Sequence, residues 1–310
     1  MNLFFINVGH GDSSLIELTT EDGDKVYILI DTNIIVEADS SISHPTIDFL
    51  EQKGIKKINW FILSHLHRDH YSGIDRILQL IEIDKLFVPA ILFDEQVQKV
   101  IFDSINSGEN ELFDFRLKSL ATLIYYLKEN PQKANKDERI SLFSGQFLNF
   151  EAIFYNTKLK YKDEFKNKKM NQELLYNPLW HNYSIIGYFK FKNQCALFTG
   201  DVPLPKVVDL MNIKGNTINI LKVPHHGKID TSPISILYEI LASKSCVVIS
   251  DDGKNNISLI KELKKYQIPF YSTNELCNCV KQLSGSTIVC HDAIKFGIQN
   301  GTQWIRQRRE

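Results

Sequence analysis

Short apolar runs broken by polar turns open this sequence. "LFFINV" (3 to 8) reads as a buried strand ending in the turn "GHGD". "SSLIEL" and "KVYILI" flank "TTEDGD", whose Asp-Gly is hairpin chemistry. "TIDFLEQKGI" has the pattern of a short helix stopped by Gly54. "INWFILS" (58 to 64) is a continuous apolar run of strand length. "GIDRILQLI" (73 to 81) spaces Ile74, Ile77, Leu78 and Ile81 as one helix face, and "KLFVPA" is a further short strand. Strands alternating with helices in this order predict a mixed α/β layer architecture.

The middle of the chain has a different texture. "EQVQKVIFDSINS" and "FRLKSLATLIYYLKEN" carry helical periodicity, strand character is low over 93–146, and 157–177 is polar and lysine-rich. Residues 91–180 therefore read as a helical insertion plus a loop. The lysines fit a solvated surface, with a basic rim for an anionic substrate as the sharper alternative. Strand patterns return at "SIIGYFKF" and "CALFTGD", joined as a hairpin at "KNQ", then at "INILKVPHHG", "SCVVISDD" and "IPFYST". Helices fit "PLPKVVDLMN" and "SLIKELKKY". "STIVCHD" and "AIKFGIQ" are expected to close the chain as a hairpin.

Composition narrows the class without naming a function. The 310 residues are 43% apolar and 24% charged with a formal net charge of −1, so no strong global field draws the chain to nucleic acid or to an anionic membrane. The basic "RQRRE" at the end fits a solvated tail. No apolar run approaches a membrane span, and the N-terminus lacks the basic region of a signal peptide. Five cysteines at irregular spacing, with "CNC" (277 to 279) a weak metal signal, fit free thiols in a reducing compartment. A cytoplasmic protein of one domain is expected.

Histidine changes the picture. Only nine occur, yet three stand with an aspartate in "SHLHRDH", directly after the apolar run at 58 to 64. In an extended chain His65 and His67 point the same way, as two ligands of one metal must. Asp69 shares that side if the strand continues; if a turn begins there, Asp69 and His70 face a second metal. Imidazole and carboxylate suit Zn²⁺, Mn²⁺ or Fe. Further donors follow or precede other apolar runs: Asp201 in "LFTGD", His225 and His226 in "LKVPHHG", and His181 in "HNYS". All of them can meet at one edge of a layered fold.

The ordered set "NVGHGDSSLIE", "ILIDTN", "FILSHLHRDHYSGI", "HNYSIIG", "ALFTGDV" and "LKVPHHGK" resembles the metallo-β-lactamase-fold hydrolases, and among them the ComEC-like hydrolase domain and its free-standing relatives. The resemblance covers residues 1–90 and 181–300. It implies an αββα four-layer sandwich and a dinuclear site of divalent ions, Zn or else Mn. His65 and His67 match the ligands of one metal, Asp69 and His70 those of the other, and Asp201 the bridging aspartate. One of His225 and His226 matches the last histidine ligand, and the other contacts the substrate phosphate. Asp31 matches an aspartate that holds a ligand histidine in place, and Asp12 a residue of the N-terminal turn with a structural role.

Three departures qualify the match. His10 stands where the family turn usually has glutamine. Asn33 stands where glycine is common, a replacement that a left-handed backbone tolerates. His181 is near the third histidine position of the wider superfamily, whereas the ComEC-like branch often has an Asn-Ser pattern that Asn182 and Ser184 satisfy. His181 is thus a ligand in one alignment and not in the other. The resulting expectation is a metal-dependent hydrolase of phosphodiester bonds, acting on DNA or RNA through a water deprotonated between two ions. Asp69 and the 225/226 histidines serve the chemistry, and Lys228 receives the substrate. The alternatives are a hydrolase of small esters, phosphorylcholine or thioester, and an effector module that meets a protein partner through 91–180. With no membrane span, a DNA-uptake role does not carry over.

Overall fold

Both faces of the apolar strands are covered, which explains their continuous rather than alternating pattern. In β1 (Asn2–Ile6), Leu3 and Phe5 point into one core and Phe4 and Ile6 into another. In the computed structural model this arrangement organises the whole chain. It describes residues 1–310 except 21, 37–39, 107–110, 136, 138, 143–149, 157–179, 182–183, 214, 252–255, 275–292, 300–302 and 308–310.

Along the first half run β2 (Ser14–Thr19), β3 (Lys25–Ile30), the short pair β4 (Ile35–Val36) and β5 (Ile42–Ser43), α1 (Pro45–Gln52), β6 (Lys57–Ile62), α2 (Arg68–Tyr71), α3 (Ile74–Leu80) and β7 (Glu82–Phe87). Then come α4 (Glu95–Asn106), α5 (Glu111–Glu129), β8 (Ala134–Asn135), β9 (Arg139–Leu142) and β10 (Phe150–Asn156). The second half comprises β11 (Ile185–Phe191), β12 (Gln194–Phe198), α6 (Leu204–Met211), β13 (Ile218–Lys222), α7 (Ile234–Ile240), β14 (Leu241–Ile249), α8 (Ile257–Lys265), β15 (Phe270–Ser272), β16 (Ala293–Gln299) and β17 (Gln303–Gln307).

Two large sheets result, ordered β17-β16-β1-β2-β3-β6-β7-β8 and β15-β14-β13-β12-β11-β10-β9. Leu3, Phe5 and Ile28 of the first meet Phe154, Phe189, Phe198 and Ile220 of the second in the central core, where Phe5 stacks on Phe198 at 5.4 Å between ring centroids. Helices α1, α3, α4 and α5 cover the outer face of the first sheet, and α6, α7 and α8 that of the second. The αββα four-layer sandwich expected from the resemblance is thus present. Among the described residues no helix is long and apolar enough to cross a membrane.

The interval 91–180 departs from the expected helical insertion in two ways. Val97, Ile101, Leu117, Leu120 and Ile124 of α4 and α5 are buried in the core on the first sheet, so these helices are part of the outer layer. Residues 139–142 and 150–156, read as helix or loop, are instead strands at one end of the second sheet, β9 at its edge and β10 between β9 and β11. β9 is only four residues long, with alternating burial, too short for its period to stand out. The closing hairpin is β16-β17, so Arg306 and Gln307 of the expected tail belong to a strand. "STIVCHD", "CNC" and the lysine-rich 157–177 lie outside the described residues.

Strand direction sets the location of the site. β3 and β6 run parallel, as do β12 and β13, and β1 has the direction of β3 through two antiparallel steps. Their C-terminal ends deliver Gly9–Ser13, Asp31, Ser64–His70, Asp201 and His225–His226 to one edge. A bond from the Ile185 N–H to the Ser64 carbonyl (2.7 Å) ties the two sheets together there.

Candidate metal centre

His67 has an extended backbone (φ −87°, ψ 145°), and the chain then turns into α2. That one-turn helix settles which way the cluster faces. His65 and His67 look to one side, with His65 Nε2 and His67 Nδ1 3.0 Å apart. Asp69 and His70 rotate to the other.

Two groups of donor atoms form, sharing Asp201. His65, His67, His181 and Asp201 each offer an atom within 4.8 Å of the others, and so do His70, Asp201 and His226. Asp201 divides its oxygens between them. Its Oδ2 stands 3.6 Å from both His65 Nε2 and His181 Nε2, and its Oδ1 3.7 Å from His70 Nε2. Asp69 Oδ2 lies beside the second group, 2.8 Å from His226 Nε2 and 3.8 Å from His70 Nε2, and forms a further group with His10 and His226. His181 belongs to the first group geometrically. Of the two adjacent histidines, His226 faces the donors. His225 contributes its backbone N–H, which donates to Asp201 Oδ1 at 3.0 Å, while its ring accepts from Lys228 Nζ at 2.7 Å. Both residues have left-handed backbones, φ 51° and 54°, which turns consecutive side chains apart.

His65, His70 and His226 each have Nδ1 engaged, which orients the ring and points Nε2 at the site. His70 Nδ1 donates to Asp31 Oδ2 at 2.8 Å and His226 Nδ1 to the Ser250 carbonyl at 2.9 Å. His65 Nδ1 meets Ser64 Oγ at 3.1 Å, and that hydroxyl donates its own proton to Asp31 Oδ2 at 2.6 Å. His70 Nε2 is fully buried and has no hydrogen-bond partner among the described residues. A buried imidazole nitrogen left without a partner, facing two carboxylates, fits a cation between them. The donor set of imidazole and carboxylate suits Zn²⁺ or Mn²⁺.

Electrostatics separates the histidines into two kinds. Burial, reinforced by His181, pushes His67 down to about 4, and burial pushes His225 down to about 4. His65 falls well below the usual histidine value, mainly from burial and then from His70. These rings are neutral near pH 7, and for His65 and His67 that is the state in which an imidazole can ligate a metal. Burial acts the same way on His70, but Asp201, Asp31 and Asp69 together override it and hold His70 well above the usual value. Burial likewise opposes ionisation of Asp69 and Asp201, and His70 dominates the opposing attraction that keeps both carboxyls well below their usual range.

Several supporting residues escaped sequence reasoning. Ser64 links Asp31, His65 and His70 through one hydroxyl. Lys222 is 2% exposed and pairs with Asp12, whose oxygens also approach His70 Nδ1 (3.6 Å) and His226 Nδ1 (3.7 Å). A lysine inside the apolar run "INILKV" was the available signal, since an unpaired lysine is almost never fully buried. Asn33 corrects an expectation: it is not left-handed. The left-handed residue is Asp31 (φ 57°), and Asn33 acts through its amide, which donates to the carbonyls of His10 (2.8 Å) and Val8 (3.3 Å).

Neither a protein-family model nor a curated protein matches the sequence. Solved structures do show likeness. The metallo-β-lactamase-fold protein YhfI of Bacillus subtilis aligns at TM-score 0.47 and 11% identity over 87% of this chain and 95% of its own. A diphosphatase of the PhnP family aligns at TM-score 0.40 and 15% identity, covering 95% and 96%. The short form of human tRNase Z aligns at TM-score 0.40 and 12% identity, covering 87% and 96%.

Proposed function

We propose that this chain is a metal-dependent hydrolase with a dinuclear centre, cleaving phosphodiester bonds as a nuclease or phosphodiesterase of the ComEC-like branch. The observation that carries the reading is the division of the Asp201 carboxylate, one oxygen toward His65 and His181 and the other toward His70. His65, His67, His181 and Asp201 hold one ion; Asp69, His70, His226 and Asp201 hold the other. When bound, two such cations would polarise a phosphoryl oxygen and acidify a water. Asp69, kept ionised beside His70 and His226, would orient the attacking water or accept its proton through the carboxylate oxygen that does not ligate the ion. His225 and Lys228 stand together next to His181, with 4.2 Å between the His225 and His181 ring centroids, and supply donors to a non-bridging phosphate oxygen. Asp31 and Ser64 act by holding His70 and His65. The buried unpaired thiols of Cys195 and Cys246 fit a cytoplasmic location.

The test is incubation of Zn- and Mn-loaded protein with single-stranded DNA, RNA, a chromogenic phosphodiester, a phosphorylcholine ester and a thioester. EDTA-sensitive cleavage of one of the first three is expected. Hydrolysis confined to the last two, or of none, overturns the phosphodiester reading.

A further inference from the structure

The turn that carries His10 is fixed over the second donor group by bonds that the ligand roles above do not require. Asn33 Nδ2 donates to the His10 carbonyl, and the Asp12 N–H donates to the Asp69 carbonyl at 3.1 Å. Gly11 closes against both partners: a Cβ there would lie 2.4 Å from Asn33 Nδ2 and 2.6 Å from the Asp69 carbonyl oxygen. The turn therefore has one placement relative to the Asp69 loop. That placement leaves His10 exposed on the solvent side, its ring centroid 4.5 Å from that of His226. Ligand atoms of His10, Asp69 and His226 all lie within 4.8 Å of one another.

We infer that His10 is a fifth protein donor to the second ion and closes its outer face. The inference rests on the dinuclear reading. It makes the two ions unequal: the first has His65, His67, His181 and Asp201, and the second, between His70, His226 and Asp201, gains Asp69 and His10 from the side where these two group with His226. An ion that takes five or six ligands keeps at most one free position after five protein donors, and more after four. The side with free positions is also the side that bears His225 and Lys228, next to His181. An anionic substrate group is thus received at the first ion, while the second is held more tightly and serves chiefly to position Asp201 and Asp69.

Cobalt(II) substitution tests this in the intact chain, comparing wild type with His10→Gln and His10→Ala. The exposed position of His10 keeps folding out of the comparison, and thermal melts of the metal-free variants check that. Loss of a donor is expected to intensify the visible absorption of the dicobalt protein, as one ion moves to lower coordination. Affinity for one of the two equivalents is expected to fall at least ~10-fold while the other holds. Wild type binding two equivalents, with spectra and both affinities unchanged in the variants, overturns the inference alone. Wild type binding a single equivalent overturns the two-ion reading and the inference with it.

Discussion

Asp31 and His70 make a buried hydrogen bond of 2.8 Å, and Asp31 reaches it from a left-handed backbone conformation at φ 57°. The aspartate ends β3, and the histidine lies in α2 at the end of the neighbouring strand β6. The same carboxylate accepts the Ser64 N–H and hydroxyl, both at 2.6 Å. One side chain therefore holds the loop that carries every donor of the "HLHRDH" cluster.

Removing that carboxylate should cost both stability and metal. Asp31→Ala leaves a buried imidazole and a buried N–H without an acceptor and is expected to destabilise by about 3–5 kcal/mol. Asp31→Asn keeps an acceptor and tolerates the left-handed backbone, so it should cost less. Both should weaken metal binding by about 10–100-fold. Denaturant unfolding of the metal-free protein and metal titration read the two effects separately; wild-type metal affinity in both variants would contradict the positioning role.

The adjacent histidines should separate cleanly. His226→Ala removes an inward donor and is expected to reduce tightly bound metal from two equivalents toward one. His225→Ala retains the backbone N–H to Asp201 and should keep both equivalents while losing activity by about 10²-fold, the scale of one lost charge-stabilising donor. Metal analysis beside turnover decides it, and equal metal loss in the two variants would remove the distinction.

Metal uptake near neutral pH should release protons. Without metal, the carboxylates around His70 hold it protonated above the usual histidine value, overriding burial, and a cation must displace that proton from Nε2. Affinity therefore falls as pH is lowered, and the release persists above pH 6.5 because the His70 value is raised. Calorimetry in two buffers of different ionisation enthalpy should give different apparent binding enthalpies; identical values would mean His70 is already neutral.

The buried Asp12–Lys222 pair makes a stability prediction independent of metal. Lys222→Met strands the Asp12 carboxylate in the interior and should destabilise by about 3–5 kcal/mol. The double variant Asp12→Leu, Lys222→Met removes both charges and should recover most of that loss. A double variant no more stable than the single one would show that Asp12 is needed for packing under His70 and His226 rather than for charge balance.

Much of this was legible before any coordinates. Continuous apolar runs such as "LFFINV" and "INWFIL" specify strands buried on both faces, because a strand open to water on one side would alternate. The residues of the candidate centre could also be listed, since histidine and aspartate at the ends of such runs have few other reasons to occur together. Edge strand β9 was missed because a four-residue segment carries too few positions for a period to emerge, and the role of Asn33 was misread because a side-chain amide bond leaves no trace in local sequence.

The sequence by itself determined the alternation of buried strands and helices and which residues were candidate donors, for those depend on local hydrophobic pattern and residue chemistry; the four-layer order came from the resemblance. Tertiary structure alone decided the placement. That His226 rather than His225 faces the donors follows from two successive left-handed residues, and that His181 joins His65 and His67 follows from the two sheets meeting at one edge. The Lys222 partner lies 210 positions away at Asp12. Side-chain direction and long-range pairing depend on how strands from distant parts of the chain come together, and no window of neighbouring residues contains that information.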